Sequence, residues 1–162
     1  MLLVKYNMNR IKLFWLGIWL LVGCDNYPQD PDKTLEKVRN GTLVVGYTEN
    51  PPWVINTPQE PTGIEAQLVK EFAAELNARV QWQNDSEQDL FERLEKKELH
   101  LVIGGLTAKN EWKKKISFSK PYLEKEKKKY VMAVLKGENA FVLQLEKYLH
   151  LQKEKLKKIT TP

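Results

Sequence analysis

The run Thr42-Leu43-Val44-Val45-Gly46-Tyr47 is short, uncharged and rich in β-branched residues. That is the pattern of a strand covered on both faces. It stops at Thr48-Glu49-Asn50-Pro51-Pro52-Trp53, where two prolines remove ladder donors. Downstream, Ile64, Leu68, Val69, Phe72, Ala73 and Leu76 fall on one helical stripe, with Glu65, Lys70, Glu71 and Glu75 read onto the wet face. Ala78–Gln83 alternates as a second strand, and Ser86 caps a helix carrying Leu90, Phe91 and Leu94. Leu99-His100-Leu101-Val102-Ile103 is a third strand, running into Gly104-Gly105. Upstream, Thr34–Arg39 forms a short helix that stops at Asn40-Gly41. Strands separated by helices of this length predict right-handed crossovers and a layered α/β fold with a mainly parallel sheet flanked by helices. Ligands of such sheets sit at the carboxyl ends of strands, here the Tyr47–Trp53 and Gly104–Trp112 loops.

The 162 residues hold 26 basic and 21 acidic side chains, a formal +5. Three of the positive charges, Lys5, Arg10 and Lys12, precede the uncharged run Leu13–Gly23. Eleven apolar residues are too few for a spanning helix but fit a signal-peptide core. Leu21-Val22-Gly23-Cys24 resembles the lipobox of bacterial lipoproteins, which makes 1–23 an expected signal peptide and Cys24 the expected lipidation site. Without those three charges the balance is +2, and nucleic acid loses its support as a partner. Residues 24–33, polar and carrying two prolines, read as a tether. One Cys and two His call for no metal or other cofactor. Residues 59–100 carry ten acids and five bases, whereas 109–129 carry nine Lys and three Glu. The Lys run reads either as a solvated connection or as an anion-binding patch.

The order of five segments is similar to the extracellular solute-binding proteins, family 3, of amino-acid ABC transporters. They are Leu43–Tyr47, Pro52-Trp53, Gly63-Ile64-Glu65, Leu99–Gly105 and Phe118-Ser119-Lys120-Pro121-Tyr122. The resemblance implies the type 2 periplasmic-binding-protein fold, normally two hinged lobes. Here Leu123–Lys129 leads straight into Tyr130–Val134 and a closing helix. One lobe over 34–150 is therefore expected, with 130–150 as its return segment, no second lobe, and a polar Lys-rich tail over 151–162.

In that family the segment corresponding to Gly104–Trp112 grips an amino acid's carboxylate. By the resemblance, Gly105 and Thr107 take the backbone N–H and hydroxyl roles. The usual Arg falls at Trp112 and a usual Thr at Lys109, so the bidentate guanidinium fork is replaced by a point charge at best. Glu49 is placed to meet an ammonium, Trp53 to stack on a ligand or to close the core rim, and Tyr47 to flank them. His100 reads as a structural residue beside apolar neighbours.

The resulting expectation is an exported, membrane-anchored lipoprotein facing the periplasm or cell exterior. It would bind a small polar solute, an amino acid among them, for an ABC permease or another membrane protein. With no Ser/His/Asp set and no acid/base pair, it is expected to be non-enzymatic. The alternatives are an interaction or sensory module that offers its open half-cleft to a membrane protein, and a remnant without ligand.

Overall fold

A computed structural model describes residues 30–160. The expected signal peptide, Cys24 and most of the tether lie outside the described residues. The elements in chain order are α1 (Thr34–Val38), β1 (Thr42–Tyr47), α2 (Ile64–Glu75), β2 (Arg79–Asn84), α3 (Glu87–Glu95) and β3 (Leu101–Ile103). A 3₁₀ turn (Glu111–Lys114) then leads to β4 (Ser117–Phe118), β5 (Leu123–Lys125), β6 (Lys128–Tyr130), β7 (Ala133–Val134) and α4 (Asn139–Thr160).

Five strands form one sheet in the order β2-β1-β3-β7-β4. β1 runs parallel to both β2 and β3, the half of the sheet that the sequence predicts. β7 is antiparallel to β3 and β4 and brings the chain back. The period of two divides β1 between two cores. Leu43, Val45 and Tyr47 join the cluster under α2 and α4, with Phe72, Phe141 and Tyr148. Val44 faces the cluster under α3, with Leu90, Phe91 and Leu94. The sheet is thus the middle of three layers. His100 belongs to its ladder: its ring Nδ1 accepts the Val44 N–H at 3.0 Å, and its own N–H donates to the Val44 carbonyl at 2.9 Å.

Tyr130–Val134 is not one strand. The chain changes sheet at Val131-Met132: the Val131 N–H donates to Leu106, and the Met132 N–H donates to the Ser119 hydroxyl at 3.0 Å. Before that switch, β5 and β6 pair as a two-residue hairpin, with Lys125 opposite Lys128. Its turn residues Glu126 and Lys127 both have positive φ, 51° and 63°. That geometry matches the twist of a hairpin, although it is usually supplied by Asn-Gly. The hairpin occupies the point where the sequence resemblance would place a second lobe, and the described residues build a single lobe.

Two boundaries differ from the sequence reading. The stretch 151–160 continues α4 and buries Leu156 against the core. Residues 30–33 are fastened to the lobe. Glu138, with no exposed surface, accepts the N–H groups of Asp32 at 3.0 Å and Thr34 at 3.1 Å. Asp30 accepts the Leu35 N–H at 3.0 Å. Burial, and then the neighbouring Glu138 carboxylate, push the Asp30 carboxyl up to about 6. Burial alone would raise Glu138 too, but hydrogen bonds from Asp30 and from the Asp32 and Thr34 backbone bring it below the usual range.

A raised native pKa means that the folded state holds a proton the unfolded chain has lost. Urea unfolding midpoints are therefore expected to fall as pH rises through about 6, the folded value for Asp30. Asp30→Asn should remove that slope between pH values of roughly 4.5 and 6.5. A variant that keeps the full slope would show that another group causes it.

Candidate functional site

The carboxyl ends of β1 and β3 lie side by side, so their loops meet. The Thr48 N–H donates to the Ile103 carbonyl at 3.2 Å, and the Asn50 amide donates to the Gly104 carbonyl at 2.8 Å. Gly105 sits at φ +67°, and a Cβ there would come within 2.4 Å of Trp53 Cδ1. Only glycine permits both that conformation and that approach. Trp53 is 7% exposed; its ring lies 4.1 Å from the Tyr130 ring and edge-on to Tyr122 at 6.4 Å.

Beneath the loop lies Glu65, which is fully buried and not on the wet face where the helical stripe put it. It stands in the first turn of α2, and the loop after β3 passes over that helix end. One carboxylate oxygen accepts the N–H groups of Gly104 at 2.7 Å and Gly105 at 2.9 Å. The other accepts the Tyr122 hydroxyl. Burial outweighs these donors and holds the Glu65 carboxyl above the usual carboxylate range. Burial and the facing Glu65 likewise push the Tyr122 phenol well up.

The Gly105 N–H, assigned to a ligand by resemblance, is therefore engaged with Glu65. Thr107 differs. It opposes Tyr130 in an isolated antiparallel bridge whose hydrogen bonds come from its neighbours: Ala108 N–H to Lys129 at 2.8 Å and Val131 N–H to Leu106 at 3.0 Å. A residue between two such bonds points its own N–H and C=O away from the partner strand. Half-buried Thr107 has neither a backbone N–H nor a hydroxyl bond to any acceptor among the described residues.

The other expected residues divide. Tyr47 is buried, donates to the Asn56 side chain at 2.9 Å and meets Trp82 edge-on at 6.0 Å, so its hydroxyl is occupied on the β2 side. Burial, and then the Glu49 carboxylate, raise its phenol above the ordinary range. Glu49 is exposed. Trp112 packs on Phe91 at 5.6 Å and joins the α3 cluster, with the Lys115 ammonium 5.3 Å from its ring centroid. It fills core where the family's Arg would reach a ligand. Lys109 is exposed and has no ion pair among the described residues.

The structure therefore brings Trp53, Gly105 and Thr107 together and keeps Tyr47 and Trp112 apart from them. Asn50, Glu65 and Tyr130 complete the cluster and were missed as site residues. The signal for Glu65 was its place directly after Gly63-Ile64 at a helix start, where a loop can cover the first turn. Two clefts open beside α4, one of about 490 Å³ against Pro121 and Tyr122, the other of about 250 Å³ against Pro52 and Gly63. Neither is lined by any of the seven expected residues.

The family description "Bacterial extracellular solute-binding proteins, family 3" matches residues 43–160, and the chain belongs to that family. Among solved structures it is similar to the arginine-bound form of domain 1 from TmArgBP, with a TM-score of 0.64 and 25% identity. That match covers 72% of this chain and 97% of the other. An ancestral amino acid-binding protein, a precursor of cyclohexadienyl dehydratase, shares the fold at a TM-score of 0.68 and 16% identity, over 79% of this chain and 99% of the other. Curated relatives are named membrane-bound lytic murein transglycosylase F. The Vibrio cholerae protein is 35% identical over 105 residues, covering 62% of this chain and 20% of the relative. The Pseudomonas fluorescens protein is 34% identical over 117 residues, covering 68% and 23%. The chain thus spans about a fifth of the length of these relatives. The non-enzymatic expectation is corrected by them, since they are enzymes by name. Motifs for a nucleophile or an acid/base pair, sought within this chain alone, could not have carried that information.

Glu65→Ala would leave the buried Gly104 N–H, the partly buried Gly105 N–H and a buried phenol without an acceptor. At about 1–3 kcal/mol for each stranded group, a loss of roughly 3 kcal/mol or more in unfolding free energy is expected. Glu65→Gln keeps a carbonyl acceptor and should lose less. Equal, small losses in chemical denaturation would show that the network does not hold the loops.

Proposed function

We propose that this family-3 lobe is an exported, Cys24-lipidated receptor for a small polar solute with an anionic group, an amino acid or another small anion, serving an ABC-type permease in the same membrane. The observation that carries the reading is Thr107. It offers an N–H and a hydroxyl without acceptors among the described residues at the carboxyl end of β3, beside the Trp53–Tyr130 pair. Two neutral donors on one residue suit an anionic oxygen, and charge assistance makes such bonds stronger than neutral ones. Lys109 follows two residues later and supplies a mobile charge in place of the guanidinium fork.

One lobe offers half of the usual cleft, and small-solute sites generally bury most of the ligand. The arginine-bound domain 1 from TmArgBP supports a single domain as sufficient to hold a solute. A second reading is favoured by the 35% identity to membrane-bound lytic murein transglycosylase F. In it, the lobe is the solute-responsive part of a wall-cleaving system, and its occupancy is reported to an enzyme instead of a permease. Both readings use the same face and the same membrane attachment.

Thermal unfolding against a panel of amino acids and small anions at about 1 mM tests the shared claim. A ligand present at 100 times its Kd adds about 2.7 kcal/mol to stability, a rise of several degrees in Tm. Thr107→Ala is expected to abolish that rise while leaving the unliganded Tm nearly unchanged. No shift with any solute, or an undiminished shift in Thr107→Ala, would contradict the assignment. Cys24→Ser should release the protein from the membrane fraction.

A further inference from the structure

The β5–β6 hairpin stands directly beside Thr107, and its sequence works against its own stability. Alternation along the paired strands puts Leu123, Lys125, Lys128 and Tyr130 on one face and Glu124 and Lys129 on the other. Glu124 and Lys129 satisfy each other at 3.6 Å. On the opposite face Leu123 and Tyr130 are buried, and Tyr130 is the residue that carries Trp53. Lys125 and Lys128, directly opposed across the strands on that same face, have no acidic partner among the described residues. Like charges directly opposite one another destabilise a hairpin. The turn that joins them has two non-glycine residues at positive φ. Such departures from local preference persist where something outside the element uses them.

The third side of the hairpin is the loop of the candidate site. The Ala108 N–H donates to the Lys129 carbonyl, and Thr107 opposes Tyr130, so in such a pair their side chains share the Lys128 face. Lys109 is the next residue beyond that hydrogen bond. Lys109 and Lys128, without an acidic partner among the described residues, thus adjoin Thr107, and Lys125 stands across β6 from it.

We propose that the hairpin is an anion-binding arm of the solute site: Lys125 and Lys128, with Lys109 and the Thr107 donors, take a small solute carrying clustered negative charge, a phosphate foremost. This rests on the reading of Thr107 as the solute contact and specifies its substrate class. A single carboxylate needs one charge opposite it. Two opposed ammonium groups are offset more fully by an anion carrying two or more charges than by a monoanion. Ammonium groups can bind phosphate as point charges, without the planar fork of a guanidinium.

Titration calorimetry of the full chain with inorganic pyrophosphate, citrate and acetate tests the arm. Pyrophosphate is expected to bind at least tenfold more tightly than acetate. The double variant Lys125→Gln/Lys128→Gln should weaken pyrophosphate at least fivefold and leave acetate within twofold. Citrate bound as tightly as pyrophosphate would overturn the phosphate preference and support clustered charge alone. Because Lys125→Glu replaces a repulsive cross-strand pair with an attractive one, it should raise Tm while weakening pyrophosphate; a lowered Tm would contradict the account of the hairpin. Lys96→Gln/Lys153→Gln removes the same charge elsewhere, and an equal loss there would overturn the site in favour of general attraction. Pyrophosphate no tighter than acetate would overturn it outright. Loss in the lysine variant with no change in Thr107→Ala would overturn the Thr107 reading and support the arm; the reverse pattern would overturn the arm alone.

Discussion

Glu65 is a carboxylate with no exposed surface, and it joins three parts of the chain that are distant in sequence. From the first turn of α2 it holds the N–H groups of Gly104 and Gly105 after β3, and the Tyr122 hydroxyl at the entry to the hairpin. Removing such a group strands buried donors, which costs more than the net gain from an ordinary hydrogen bond. Its consequence for the site is directional. With two successive N–H groups turned inward, the loop bends at Gly105 against Trp53 and presents Thr107 outward. The same carboxylate that engages the Gly104 and Gly105 N–H groups therefore leaves Thr107 as the donor that the proposed solute would meet.

The layered sheet explains why this arrangement can exist in so few residues. β1 lies between two parallel neighbours and divides its side chains between two cores, so the ends of β1 and β3 are held in register on both faces. The antiparallel return through β7 and α4 closes the lobe without crossing to a second one. Phe72 meets Phe141 at 5.9 Å and Tyr148 at 5.6 Å, joining the middle of the chain to its last helix. The Asp30–Glu138 contact fastens the described N-terminal residues at the start of that helix.

What was legible in the sequence was whatever burial alone determines. Val44, Val45, Val102 and Ile103 announce strands covered on both faces; Leu68, Val69 and Phe72 announce a helix face; and the Ser86 cap is realised, its hydroxyl accepting the Asp89 N–H at 3.2 Å. Glu65 was hidden because its burial comes from a loop some forty positions away (|i−j| = 39 to Gly104), which a helical wheel cannot register. Trp112 was placed near the ligand by its alignment with an Arg, yet its apolar surface is better satisfied against Phe91. The hairpin escaped notice because Glu126-Lys127 lacks the turn chemistry that identifies such loops, and only the pairing of Lys125 with Lys128 shows it.

The central claim is that the loop after β3 divides its donors, Gly104 and Gly105 inward to Glu65 and Thr107 outward to solute. Backbone amide shifts of the isotope-labelled chain during titration with pyrophosphate test it directly. The account predicts a large, saturable change at the Thr107 N–H and small changes at Gly104 and Gly105. A saturable change at Gly105 with Thr107 unmoved would contradict it.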